Sequence, residues 1–453
     1  MQNRLQFNAH CGCSYCYHPG KYAAGSMRYP LLKDDPAVRI HKSHLEDIKK
    51  AAKGPTKSFL GVKGSCILLG LTFFNIVWNF CIDYMHAFLL GLTKQIKNRW
   101  ASDYFSKEQL NKINKRMTNI KLCRDIRRGI RSLDYSRKYK ATEWRTWMLM
   151  VSLPVLRDIL PEDELKSWAL VVDGMYTLLS TAITNTQLER IDYNFVKFIG
   201  ESEMLYGIGF ITFNLHSVAH CIDSVKHSGP LWATSAFPFE NGIYQFLKEL
   251  NAPNGCLKQI SEKWLRKYMF KHFLANQEDL ENEPMKYCKS LFISRPPLKN
   301  CTVKDNITFT KKARTQVTTL DTVQNLLGKD EPVIEFFQSF VYESLFYHIK
   351  SYSRSFKTNE SVVQTINNEI IQIHHAFVSE KRSYICGYKW NVDDNDFGND
   401  EEGKPIVKHF FKVSQIVSNY VLVEIQAIKN KVVVIDTKDD LYITFLPNNY
   451  EVQ

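Results

Sequence analysis

The sequence predicts an α+β protein that is mainly α-helical, on two observations. Between about residues 66 and 275, apolar side chains such as Trp144, Trp147 and Val151 recur every three or four positions, which is the period of an amphipathic helix. Near the C-terminus, β-branched residues dominate short runs such as Tyr420–Ile425 and Lys431–Ile435, which favours strands separated by tight turns. We therefore expect a large helical body followed by a small all-β domain, either a barrel or a sandwich.

Changes in composition divide the chain into regions with different expected structures. The predicted regions are loops at 1–65, a helical segment at 66–200, further helices at 201–275, a linker with helices at 276–383, and a β domain at 384–453. Within the fourth region, periodicity predicts helices over Val333–Ile349 and Val362–Val378. The acidic, glycine-bearing run Asp393–Gly403 predicts a hairpin loop or a flexible insertion.

Composition limits the class of protein and its compartment. Apolar residues make up 44% of the chain, enough for a packed core, and 59 Lys and Arg against 47 Asp and Glu leave a net charge of +12, which fits a polyanionic partner. Eleven cysteines without an apolar leader predict reduced thiols rather than disulfides, in the cytosol or nucleus. The apolar stretch 66–92 contains Asn75, Asn79, Asp83 and His86, so a buried helix is favoured over a membrane span.

Two half-sites predict a structural zinc ion. Cys13 and Cys16 form a C-x-x-C turn that can direct two thiolates at one point, and His216 and His220 lie four apart on a predicted helix. Together they make a complete tetrahedral Cys₂His₂ set. Cys11, His18 and Cys221 are competing ligands, so spacing alone leaves the assignment open. The two cysteines could instead be an inert buried pair, and the two histidines ordinary core or surface residues.

Two acidic motifs lie in apolar surroundings. Asp83 and His86 are one turn apart, and they could hydrogen-bond to each other or serve as a helix N-cap and a core histidine. Glu240 follows Phe237 and Phe239, where a carboxylate is poorly solvated unless a metal ion or an arginine compensates it. The alternative for Glu240 is a favourable interaction with a helix dipole.

The excess positive charge is concentrated in one segment. Residues 111–140 contain eleven Lys and Arg against two acids, a density that suits phosphate binding, although a solvated helical face is the alternative. We expect this segment to lie on the surface and to bind double-stranded DNA. The predicted DNA-binding residues are Lys112, Lys115, Arg116, Lys121, Arg124, Arg127, Arg128, Arg131, Lys138 and Lys140.

An ordered series of motifs spans nearly the whole chain. It comprises Phe7-Asn-x-x-x-Gly-Cys-x-x-Cys-x-His-Pro-Gly20, Gly61-Val-Lys-Gly64, Asp83-Tyr-Met-His-Ala-x-Leu-Leu-Gly91, Tyr139-Lys-Ala-Thr-Glu-Trp144, Leu205-Tyr-Gly207, Asn214-Leu-His-x-x-x-His220, Gly229-Pro-Leu-Trp-Ala233, Phe237-x-Phe-Glu240 and Leu446-Pro-Asn-x-Tyr-Glu451. As a series it resembles the animal transposases related to CACTA/En-Spm elements. The match is weakest between about 276 and 380.

The resemblance implies a remnant of an RNase H-like catalytic domain, interrupted by a large helical insertion. In such enzymes two aspartates and a glutamate hold two Mg²⁺ or Mn²⁺ ions for DNA strand cleavage and transfer. It further implies that Cys13, Cys16, His216 and His220 bind zinc, that Glu240 is the last catalytic carboxylate, and that Asp83 and His86 belong to an additional family motif. The expected compartment is the nucleus.

The catalytic set implied by the resemblance is incomplete. Both aspartates should precede the C-x-x-C motif, yet only twelve residues precede Cys13 and none is acidic. We therefore expect a transposase-derived, DNA-associated protein that does not cut DNA, with Glu240 near the zinc ligands at the edge of a partial sheet. The alternatives are a structural or protein-interaction module that can form homo-oligomers, and an active transposase whose aspartates lie in an upstream segment.

Overall fold

The computed structural model describes residues 2–54, 58–126, 128–276, 283–291, 301–313, 317–328, 332–352, 357–448 and 450. The protein is mixed α and β, 44% helical and 22% strand, with one large antiparallel sheet, so the prediction of a mainly helical α+β chain is confirmed at this level. None of the described helices is both long and apolar enough to cross a bilayer.

The helices occupy most of the chain up to residue 290, and one more follows among the strands. They are α1 His41–Lys53, α2 Lys94–Asp103, α3 Lys107–Asn119, α4 Ala141–Thr146, α5 Ser152–Leu156, α6 Glu162–Leu178, α7 Asn185–Tyr206, α8 Phe213–His216, α9 Cys221–Ser228, α10 Phe237–Lys248, α11 Cys256–Ala275, α12 Glu283–Ser290 and α13 Val317–Leu327. Two π-helical segments extend them: Met85–Thr93 runs into α2, and Trp147–Val151 joins α4 to α5. The stretch 66–84 contains only a short 3₁₀ turn, so the helix expected over 66–92 begins near its C-terminal third.

The helical body is built around α6, which is buried along most of its length and packs against α7. Gly174 of α6 permits this close contact, because a Cβ at this position would lie 2.3 Å from the ring of Phe195 on α7. Large aromatic side chains fill the surrounding core, where Trp100 donates to the Tyr206 hydroxyl at 3.0 Å. A core of this density holds the site-bearing segments in fixed positions.

The strands lie mostly in the C-terminal third. A small hairpin, β1 Lys21–Ala23 and β2 Ser26–Arg28, is separate from the main sheet. The main sheet contains β3 Cys301–Lys304, β4 Ile307–Lys312, β5 Val333–Tyr342, β6 Leu345–His348, β7 Val362–Thr365, β8 Ile370–Ser379, β9 Ser383–Asp394, β10 Phe411–Glu424, β11 Ile428–Asp436 and β12 Leu441–Phe445. Their order is β3-β4-β5-β8-β7-β11-β12-β10-β9, with β6 on β5, and an additional β8–β9 pairing closes six strands into a ring.

The helices predicted over Val333–Ile349 and Val362–Val378 are wrong, because both segments form strands. The main sheet therefore begins at Cys301, whereas the β domain is expected to begin at residue 384. Strand β8 is buried at eight of its ten positions, so it lacks the polar alternation that distinguishes a strand from a buried helix in sequence. The hairpin loop predicted around Asp393–Gly403 is confirmed, since β9 and β10 pair antiparallel across it.

The sheet and the helical body share one hydrophobic core. Phe410 and Tyr442 from the sheet side belong to the same buried cluster as the helical tryptophans, and the His409 ring stacks on Tyr176 of α6 at 3.7 Å. Near the C-terminus, Tyr450 stacks on Trp232 at 4.5 Å, so two of the sequence motifs named above meet in space.

Candidate metal centre

The C-x-x-C turn is held by two buried arginines. The Arg39 guanidinium donates to the backbone carbonyls of Cys13 at 3.1 Å and Cys16 at 2.9 Å, and Arg4 donates to the Cys13 carbonyl at 2.6 Å. Asp47 accepts from Arg39 at 3.5 Å. Because buried carbonyls need donors and the arginines supply them, the loop keeps its shape without regular secondary structure.

The two histidines lie where α8 passes into a 3₁₀ turn. Thr212 caps α8 by accepting the Leu215 N–H, His216 ends the helix, and the 3₁₀ turn Ser217–His220 continues directly from it. This arrangement brings the Nε2 atoms of His216 and His220 to 3.2 Å from each other. The tight turn therefore directs both imidazoles at the same point.

The two half-sites meet in a single buried cluster. Cys13 Sγ lies 3.5 Å from His220 Nε2, and Cys16 Sγ lies 3.3 Å from His216 Nε2. All four ligand atoms lie within 4.8 Å of one another, and all four side chains are buried. Tetrahedral Zn²⁺ with Zn–S of about 2.3 Å and Zn–N of about 2.0 Å separates its ligand atoms by roughly 3.3–3.8 Å. The donor set and its spacing therefore fit zinc.

The competing ligands are directed elsewhere. Both ring nitrogens of His18 are occupied by backbone: Nε2 lies 2.8 Å from the Pro30 carbonyl, and Nδ1 accepts the Gly20 N–H at 2.9 Å. The Cys221 thiol donates to the Ser217 carbonyl at 3.6 Å. Cys11 is partly exposed and does not belong to the converging group. The structure thus selects, among the described residues, the set that the resemblance implied.

The protonation of the cluster favours a bound cation. Burial raises the pKa of the Cys13 thiol, but hydrogen bonds from Cys16, His216 and His220 outweigh burial and leave that pKa well below its usual value. The pKa of Cys16 is raised, because its thiol hydrogen-bonds to the Cys13 sulfur and is buried. Burial lowers the pKa of His216, which favours the form of the imidazole that binds a metal. A divalent ion would stabilise both thiolates together and bind both imidazoles.

Asp83, His86 and Glu240 form a second polar cluster, which brings the two acidic motifs of the sequence together. His86 Nδ1 contacts the Asp83 carboxylate, and His86 Nε2 lies 3.2 Å from Glu240 Oε1. Asp83 also accepts the Ala236 N–H at 2.9 Å, which fixes the start of α10 beside it. The imidazole therefore bridges a carboxylate from each of two segments that are about 150 residues apart in sequence.

The environment of this group differs from two expectations. Glu240 lies in the first turn of α10, with 56% of its side chain exposed, so the expectation of a poorly solvated carboxylate is wrong. Pro238 and the neighbouring phenylalanines start a helix that leaves the carboxylate in solvent. Asp83 caps its helix as expected by accepting the Met85 N–H, but His86 is 56% exposed and is not a core residue.

Comparison of the chain with protein-family models and with curated proteins finds no match. The resemblance to CACTA/En-Spm transposases therefore stays a prediction from the ordered motifs of the sequence. Sequence reasoning missed Arg4 and Arg39, which position the cysteine loop. Neither residue carries a spacing signal, since each is an isolated cation in a loop-rich segment.

The basic segment divides into cations used within the fold and cations on the surface. Arg116 is buried and pairs with Asp158 and Asp439, both at 2.8 Å, so its expected surface position is wrong. Ile113, Arg116 and Met117 are the buried residues of α3, which explains its orientation. Three exposed cations have carboxylate partners: Lys112 pairs with Asp158, Arg124 with Glu360 and Arg131 with Glu143. Among the predicted DNA-binding residues, the exposed remainder is Lys115, Lys121, Arg128, Lys138 and Lys140, while Arg127 lies outside the described residues.

Proposed function

We propose that this chain is a transposase-derived, DNA-associated protein of the nucleus, whose N-terminal loop is clamped to the helical body by one structural zinc ion. The observation that carries the proposal is the convergence of Cys13, Cys16, His216 and His220, which the ordered motif series implied from positions about 200 residues apart. The zinc would supply folding free energy, since a closed set of four protein ligands leaves no coordination position for a substrate.

The proposal extends to the origin of the fold. Residues 1–65 and 201–275 would derive from an RNase H-like catalytic domain, with 66–200 as its helical insertion. Two contacts support this division. Each joins a segment that lies before the helical insertion or at its start to a segment that lies after the insertion. Cys16 meets His216 at 3.3 Å, and His86 meets Glu240 at 3.2 Å.

DNA would bind through the exposed cations of the basic segment. Their charge would neutralise phosphates and release counterions, so affinity should fall steeply with salt and depend little on sequence. The cations with carboxylate partners contribute less, because their charge is already compensated. Lys115, Lys121, Arg128, Lys138 and Lys140 are the candidates on which DNA binding should depend.

Replacing these five cations together with glutamine should weaken duplex binding at least about 100-fold at low salt and reduce the salt slope by about four. Fluorescence anisotropy with a labelled duplex between 50 and 200 mM salt, roughly the range over which counterion release is resolved, measures both quantities. The matched control replaces five exposed lysines from other segments, and it should keep the wild-type slope. The control residues are Lys33, Lys42, Lys49, Lys381 and Lys438. Binding that is equally weakened in both variants would contradict a localised site.

The chain should not nick DNA in the presence of Mg²⁺ or Mn²⁺, and Glu240→Gln should leave no activity to lose. Two-metal phosphoryl transfer needs several carboxylates that converge on two ions roughly 4 Å apart. Glu240 is instead engaged by the His86 imidazole at 3.2 Å, and Asp83 is held by that imidazole and by a backbone N–H. Supercoiled-plasmid relaxation by the wild-type chain and this variant tests the expectation. Metal-dependent cleavage that the substitution abolishes would instead support an active enzyme.

A further inference from the structure

Helices α10 and α11 carry an unusually apolar surface. No residue of α10 is buried, and in α11 only Leu274 is. Eleven large apolar side chains between residues 239 and 273 are 38% to 83% exposed. The two helices contact each other through Phe246 and Trp264, whose rings lie 4.8 Å apart, so most of this apolar surface stays open to solvent. We call residues 237–275 the helical arm.

The exposed side chains form straight rows. Phe239, Ile243 and Leu247 follow one another at intervals of four along α10, and Leu265, Met269 and Phe273 do the same along α11. Rows at this interval are the ridges that interdigitate in the commonest class of helix packing. The arm therefore presents a surface shaped to receive other helices.

The size of this surface distinguishes it from ordinary surface apolarity. Eleven large side chains that are 38% to 83% exposed offer on the order of 1,000 Å² of apolar area, whereas the largest patch on a typical monomer is about 300–600 Å². A stable interface buries about 800 Å² on each partner. One arm thus supplies the area that one side of a stable interface requires.

We infer that the arm is a homodimer interface, in which the helices of one copy pack against the same helices of a second copy. In a two-fold interface the same patch serves both partners, so two arms would form a four-helix arrangement with the apolar rows inside. The aromatic and methionine content of the rows matches the composition of interface cores. This inference goes beyond the proposed function and does not depend on DNA binding.

Ion pairs within the arm compensate part of its positive charge. Glu249 pairs with Lys267, and Glu262 lies 3.9 Å from Lys258 and 3.8 Å from Arg266. These carboxylates balance several of the cations beside the apolar rows, which lowers the repulsion between two identical arms. The attraction would therefore come mainly from apolar burial.

The test is the mass of the full 453-residue, zinc-loaded chain measured by sedimentation equilibrium. The wild-type protein should sediment at low micromolar concentration with twice the chain mass of 52.8 kDa. The double variant Leu265→Glu with Met269→Glu should raise the dimer dissociation constant at least about 100-fold, because each substitution places a charge in the apolar interface. Both residues are more than half exposed in the single chain, so the substitutions do not disturb its own core.

A matched control separates the interface from general surface effects. Val196→Glu with Met204→Glu changes two similarly exposed apolar residues of α7 and should leave the dimer intact. A wild-type chain that stays monomeric at about tenfold higher concentration, or a Leu265/Met269 variant that remains dimeric, would overturn the inference. A monomeric wild-type chain whose arm binds anionic phospholipid vesicles would overturn it too and assign the surface to a membrane.

Discussion

Replacing Cys16 with serine should abolish stoichiometric zinc binding and lower the free energy of unfolding by about 5 kcal/mol. The Cys16–His216 contact joins residues 200 positions apart. A cross-link that closes so long a loop removes unfolded-state entropy worth about 5 kcal/mol at 25 °C, and a metal bridge acts in the same way. All four ligand side chains are buried. Without the ion, the three remaining ligands would stay buried with no cation to compensate them, which costs further free energy.

Zinc per chain by elemental analysis and urea unfolding with and without a chelator measure both effects. Cys221→Ser is the matched control, since Cys221 is a buried cysteine of the adjacent helix whose thiol donates to a backbone carbonyl that a serine hydroxyl can also reach. This control should retain zinc and most of its stability. Purified wild-type protein without zinc, or a Cys16→Ser protein as stable as the control, would show that the four side chains serve only as packing.

The metal centre could be predicted because its information is local in sequence. A C-x-x-C turn and an i,i+4 histidine pair each fix their own geometry, and four ligands complete one tetrahedron. Spacing alone leaves His18 as an alternative zinc ligand. Only the structure excludes it, because its two ring nitrogens contact the Pro30 carbonyl and the Gly20 N–H. Those partners depend on tertiary structure, so no sequence pattern marks them.

The errors have the same physical origin. The sequence predicts helices where strands β5 and β8 lie. For β8 the reason is that the fold buries both of its faces, which removes the period-two pattern typical of a strand. Arg116 was expected on the surface because a charge count ignores which face of α3 is buried. The contact between His86 and Glu240 could not be predicted from the sequence, since it depends on how α10 returns to the Met85–Thr93 helix.

Replacing Glu360 with alanine should lower the free energy of unfolding by about 3–5 kcal/mol, because it breaks a buried polar group shared by the sheet and the helical body. The Glu360 side chain is fully buried. Its carboxylate accepts the Arg124 N–H at 2.7 Å and the Thr358 hydroxyl at 3.0 Å, and lies 3.0 Å from His348 Nε2. Removal of the carboxylate takes the acceptor away from the Arg124 N–H and the Thr358 hydroxyl, and buried unsatisfied groups are costly.

The same carboxylate should make stability depend on pH. Burial raises the pKa of Glu360, but the hydrogen bonds from His348 and Arg124 outweigh burial and lower that pKa below its usual 4.5. Its contribution is therefore complete above pH 4.5 and is lost as the pH falls through the lower folded-state value. Urea unfolding of wild type, Glu360→Ala and Glu360→Gln between neutral and acidic pH should show this loss only in the wild type.

The control variant Glu369→Gln removes a partly exposed partner of Lys389. It should lower the free energy of unfolding by less than about 1 kcal/mol and keep the wild-type acid profile. Equal costs for the Glu360 and Glu369 variants would mean that burial does not amplify the Glu360 interaction.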